Sequence, residues 1–180
     1  MKSEQQAFLA DVIFNIALTG TVQRGKLYRE GSTEIQKRAF RSALRNALEN
    51  LVDRYGNGVS EEEHIANIDA LADTLSKRYP DSLKDGRFRI GSAQKALNLY
   101  LKFLWCLDRI PMPPHCPFDA IVLSCVQGCE AVRWTRLDDL SEYRRIVDCA
   151  KVAARGAPLA EWELCVYSAA QSARRSGKIA

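Results

Sequence analysis

Apolar residues recur along this chain at spacings of three and four, the signature of α-helices that each bury one face. Phe8, Leu9, Val12, Ile13 and Ile16 predict a first helix over about Glu4–Leu18, ended by Gly20. Phe40, Leu44, Ala47, Leu48 and Leu51 predict a second, and Ile65, Ile68, Leu71, Ala72 and Leu75 a third that stops before Pro80. Thr33 with Gln36 and Ser60 with Glu63 have capping-box spacing, which places the starts of both helices. Tyr55–Gly56 closes the second, since glycine accepts the backbone turn that ends a helix. Further on, Leu140, Tyr143, Ile146, Val147, Ala150 and Ala154 predict a helix over about Asp139–Arg155. Pro158 opens a last one carrying Leu159, Trp162, Cys165, Val166, Ala169 and Ala173 inward.

Between these lies the most apolar stretch. From Ser92, a natural N-cap, residues such as Leu97, Leu99, Tyr100, Leu101, Phe103, Leu104 and Leu107 cover most of a helical circumference. Such a helix is surrounded by others. The fold class expected is all-α: a single domain over residues 1–180, an irregular bundle of six or seven helices around a central apolar helix at about 92–108. Its core is expected to include Val12, Ile16, Leu44, Leu51, Leu71, Leu97, Leu101, Leu104, Ile146, Val147, Trp162 and Val166. The polar stripe Gln94, Lys95, Asn98, Lys102 is expected to face water, a cavity being the alternative. Residues 118–126 read as a short helix or a buried strand, helix preferred, and 129–137 as an extended connection. Pro111, Pro113, Pro114 and Pro117 hold the chain extended between the central helix and that segment.

Composition narrows the class. An apolar fraction of 47% over 180 residues suits one globular domain. The acid at Glu4 and the lack of a long uncharged run argue against a signal peptide, and the central helix is too short and too polar to span a bilayer. The expected setting is cytoplasmic, with all six cysteines reduced and no membrane contact. Charge alternates in blocks: net +5 over Arg24–Arg45, −5 over Asn46–Asp85, +4 over Gly86–His115.

Candidate chemistry is sparse. His115 and Cys116, with Cys106, Cys125 and Cys129, are the best metal candidates, but no Cys-x2-Cys pair is present and no metal or cofactor is expected. His64 falls on the first turn of the acidic third helix, where a solvated role is expected. The sharpest functional hint is basic. Lys37, Arg38, Arg41 and Arg45 recur on one face of the second helix, with Arg24, Lys26 and Arg29 before them, a stripe able to track phosphates. The competing account is a solvated face paired with the acidic third helix.

Arg109 and His115 form an Arg-x5-His string that resembles the short motif of HEPN-type ribonucleases, which are helical. Here Ile110 stands where a polar residue usually follows the arginine, and three prolines intervene. Arg89–Asp119 and Trp134–Leu164 resemble a group of uncharacterised bacterial proteins associated with mobile elements and integron-type gene cassettes. That resemblance implies a recurring helical unit and carries no activity. Two functions follow as expectations: a non-enzymatic binding or interaction module whose basic helix face contacts nucleic acid, and, as the alternative, a hydrolase or ribonuclease with Arg109 and His115 as catalytic residues. A nucleic acid, a protein partner and a homodimer all stay open as partners.

Overall fold

The computed structural model describes residues 3–175, with the side chains of 23–25, 174 and 175 outside the description. Arg24 of the basic segment falls among these. Among the described residues the chain forms seven α-helices: α1 (Ser3–Gly25), α2 (Glu34–Tyr55), α3 (Glu61–Arg78), α4 (Ile90–Cys106), the single turn α5 (Ala120–Leu123), α6 (Leu140–Ala154) and α7 (Leu159–Arg175). Short 3-10 turns occupy Lys84–Gly86 and Trp134–Arg136. Among the described residues, extended pairing is limited to an isolated bridge between Tyr28 and Leu83. The fold is an all-α bundle.

Local chemistry sets most helix starts. Both capping boxes form: the Thr33 and Ser60 hydroxyls accept from the amides of Gln36 and Glu63, whose side chains accept from the cap amides in return. Asp119 accepts from the amides of Ile121 and Val122, and Asp139 from those of Ser141 and Glu142. Helix α4 departs from expectation. It begins at Ile90, two residues before the expected cap, and Ser92 is buried inside its first turn. Its start is fixed by tertiary contact instead: the Gly91 amide donates to the Leu137 carbonyl at 2.8 Å. A methyl group at Gly91 would lie 1.7 Å from the Trp134 carbonyl oxygen, so only glycine lets the Trp134–Arg136 turn seat here.

Helix α4 is the spine. It packs on α1 and α3, and also meets α2, α6 and the Trp134–Arg136 turn. From Ile90 to Asn98 every residue is buried. Phe40 anchors the α2 side, edge-on to Tyr28, Tyr79 and Phe88.

Helix α1 corrects the expectation in two ways. It runs on through Gly20 to Gly25, and Gly20 marks its close approach to α4, where an added methyl would stand 2.9 Å from Leu99 Cδ2. Its buried face is Ile13, Phe14, Ala17 and Thr21, while Phe8 and Ile16 are 66% and 45% exposed. The apolar residues of α1 occupy two sides of the helix, and the core takes the other one. Val12 and Leu51 are half-buried. In α7 the buried positions are Leu159, Ala160 and Glu163; Trp162 and Val166 are half-buried, and Cys165 and Ala169 are exposed. The stretch 129–137, expected as an extended connection, is a series of turns that includes Trp134–Arg136. Among the described residues no helix is long and apolar enough to cross a membrane.

Candidate functional site

Lys95, Leu99, Lys102, Phe103 and Cys106 lie four, three, one and three residues apart, which puts them on one face of α4. Helices α1 and α7 flank that face without closing over it. It forms the floor of a cleft of about 790 Å³, walled by α1 at Val12–Gly20 and by α7 at Glu163–Gln171, and closed at one end by Ile121 and Trp134. The apolar side of α1 that misses the core lines it.

Two ion pairs stand on this floor. Lys95 Nζ donates to Asp119 Oδ2 at 2.7 Å, and Lys102 Nζ to Glu163 Oε2 at 2.5 Å. The four side chains are 8%, 19%, 12% and 5% exposed, in that order. The Lys102 ammonium also lies 4.7 Å from the centre of the Tyr167 ring. Burial pushes the Glu163 carboxyl up, and Lys102 reverses this only in part, so it stays above its ordinary value. Burial raises Asp119 too, but the Lys95 charge and the amides of Ile121 and Val122 outweigh it, and Asp119 stays below. Buried ion pairs add little to stability, because desolvation cancels most of the attraction. Two of them on an open floor therefore leave charged donors and acceptors at the base of an apolar slot.

The stripe expected to face water thus divides. Lys95 and Lys102 face the cleft. Gln94 and Asn98 point to the other side, into the core. Gln94 Nε2 donates to the Phe118 carbonyl at 2.9 Å, and Asn98 Nδ2 to the Cys116 carbonyl at 2.9 Å. Gln94 also accepts from the Phe118 amide at 3.1 Å. These bonds bind the proline-rich segment to α4.

His115, within this segment, is fully buried, as are Pro113 and Pro117 on either side of it in sequence. Its Nδ1 is 2.8 Å from the Tyr143 hydroxyl. His64, expected in water, is also fully buried, with Nδ1 2.7 Å from the Tyr55 hydroxyl. Acidic neighbours on α3 suggested exposure, but His64 turns inward against His115. Burial holds both imidazoles down to about 3, with His115 adding to the effect at His64, and Lys151 and Arg144 at His115. Arg109, the other half of the Arg-x5-His string, is exposed at the end of α4 and makes none of these bonds. The imidazole is enclosed.

The cysteines are free thiols, Cys116 and Cys129 buried and Cys106, Cys125 and Cys165 exposed. Burial pushes the Cys116 thiol well above its ordinary range, which leaves it a poor nucleophile. Among the described residues no group of three or more metal-ligating side chains converges.

The basic stripe of α2 is half-buried and internally paired. Glu34 holds Lys37 at 2.8 Å and Arg41 at 3.5 Å. Arg45 reaches Asp11 at 2.5 Å and Glu49 at 2.8 Å, over the Phe14 ring. Arg38 is exposed, as are Lys26 and Arg29 in the loop. The acidic third helix plays no part in this. Its Glu62 and Glu61 hold Arg144 and Lys151 of α6, at 2.8 and 2.7 Å.

The sequence marked Lys95 and Lys102 only as part of a stripe expected to face water, and it did not mark Asp119 or Glu163, because their partnership is made only by folding. The single available signal was Glu163 on the apolar side of α7, between Trp162 and Val166. Comparisons with family models, curated proteins and solved structures find no match to this chain.

Proposed function

We propose that this chain is a non-enzymatic binding module whose ligand site is the cleft between α1, α4, α5 and α7. The observation that carries this reading is the pair of lysine–carboxylate bridges on the cleft floor, beneath walls that are mostly apolar, with Asn15, Thr19 and Gln171 among them. Concave, mostly apolar sites with a few convergent polar groups are where small ligands bind. The floor is electrically balanced. A monoanion or monocation would have to break a bridge, whereas a dipolar head, such as a carboxamide or a zwitterion, extends both. The ligand is therefore a small molecule with an apolar body and a dipolar head.

Neither bridge presents a free nucleophile, and the alternative site, Arg109 with His115, has its imidazole walled in. A binding role in a reducing, cytoplasmic setting accords with six free thiols.

The test is a thermal-shift screen of uncharged and zwitterionic amphiphiles, followed by NMR on the Trp134 indole. Binders should shift that resonance, and Ile16→Trp, which fills the cleft from a solvent-exposed position, should abolish the shift. Binding that survives Ile16→Trp with the indole unmoved would place the ligand elsewhere and end this reading.

A further inference from the structure

A second hollow lies beyond the end of the cleft, and its chemistry is different. Lys26, Lys84, Arg89, Arg133 and Arg136 line it, with one carboxylate, Asp85. Asp85 is occupied by Arg89, at 2.5 Å. The other four cations are exposed, and no carboxylate among the described residues pairs with them. Lys26, Lys84 and Asp85 also line an adjoining hollow, which adds Arg29 and a second carboxylate, Glu30, so that six cations face two acids across the pair. Tyr28 lies in the wall of this adjoining hollow, and its buried hydroxyl has no hydrogen-bond partner.

These cations come from three loops far apart in sequence, so the concentration of charge is a product of the fold. The loops are tied together. Arg29 N donates to Ser82 O at 3.0 Å and Lys84 N to Leu27 O at 2.9 Å, joining the α1–α2 loop to the α3–α4 loop. Arg87 grips Asp138 through two bonds of 3.1 Å, and Gly91 N holds Leu137 O, so the third loop is fixed beside them. A basin whose charges are already gathered pays for their mutual repulsion on folding and recovers it when an anion arrives.

We propose that this basin binds the phosphodiester backbone of nucleic acid. The shared chemistry is phosphate, and two adjoining hollows with cations along both fit a chain of phosphates better than a single one. Nothing in the basin is built to read base edges, so binding is independent of sequence and strongly salt-dependent. The proposal uses none of the ion pairs of the cleft, and the two readings stand or fall separately.

The test is fluorescence anisotropy with labelled single-stranded RNA and DNA of about 20 nucleotides, from about 50 to 200 mM salt. The native protein should bind, with log affinity falling linearly against log salt. The double variant Arg133→Glu/Arg136→Glu should lose at least about tenfold at low salt and show a shallower slope, because fewer counterions are released. Lys84→Glu, on another loop, should act in the same direction should the double variant not fold. Arg38→Glu, on the α2 stripe, should leave binding within about twofold. No binding at low salt overturns the proposal. So does equal loss from Arg38→Glu, which would mean diffuse attraction, and so does competition by inorganic phosphate at the same phosphate concentration as the oligonucleotide, which would mean a single-phosphate site.

Discussion

His64 and His115 meet edge to face in the core, ring centroids 4.7 Å apart, each at the end of the same relay. Asn67 Nδ2 donates to the Tyr55 oxygen, and Asn98 Nδ2 to the Tyr143 oxygen, at 3.3 and 3.5 Å. Each tyrosine hydroxyl in turn lies within hydrogen-bond distance of Nδ1 of its histidine, at 2.7 and 2.8 Å. Both Nε2 atoms are buried without a hydrogen-bond partner. Glu61 Oε2 approaches that of His115, at 3.9 Å.

Acid should therefore loosen the protein well before its carboxylates titrate. Both histidines fall from an ordinary 6.5 to about 3 on folding, so below 6.5 the unfolded chain binds more protons than the folded one. Stability contributed by the neutral rings is complete above pH 6.5 and is lost as pH falls toward 3, by up to about 1.4 kcal/mol per pH unit for each histidine. Urea melts between pH 7 and 5 should show this slope, and His115→Gln should remove about half of it. A flat profile in that window would mean that the rings are hydrated.

Gly91→Ala should cost about 3 kcal/mol or more, because the new methyl meets backbone rather than a mobile side chain. Gly20→Ala is its counterpart. There the obstacle is the tip of Leu99, which borders the open cleft, and the helix gains the propensity of alanine, so the change should be near neutral. Urea melts of the two variants should differ by at least about 2 kcal/mol.

Lys102→Met should destabilise by about 3 kcal/mol, toward the low end for a broken buried pair since the site borders an open cleft. The loss comes from stranding Glu163, so Lys102→Met/Glu163→Leu should recover most of it. A double-mutant cycle by chemical denaturation reads the coupling. Recovery below about 1 kcal/mol would show the bridge to be solvated.

Trp162→Ala should cost about 1–2 kcal/mol, below the range for a fully buried tryptophan, because Trp162 packs on the core from a half-exposed position. A loss above about 4 kcal/mol in the same melts would place it among the central residues.

The helices were legible where the cause is local. Thr33 with Gln36 and Ser60 with Glu63 announce the starts of α2 and α3 in four residues each, and α6 starts behind Asp139 where its pattern begins. What failed was choosing between faces. Helix α1 is apolar on two sides, and the pattern cannot tell which meets α4 and which lines a cleft. In α4, Gln94 and Lys95 are neighbours in sequence but about 100° apart around the axis, so one stripe served two environments. The site was less legible still. His64 read as solvated because its burial is supplied by His115, distant in sequence, and the acids that complete the cleft floor sit on α7 and before α5.

The turn Trp134–Arg136 is three residues long. Its first side chain, an indole, closes the end of the cleft, and Arg136, with Arg133 just before the turn, lines the basin. So short a segment is seated as one piece against Gly91, while its exposed guanidiniums stay free to turn about their own side-chain bonds. A side chain at position 91 would therefore displace the end of the cleft and the rim of the basin together. Two hollows of opposite chemistry share one seat, and that seat is a glycine hydrogen.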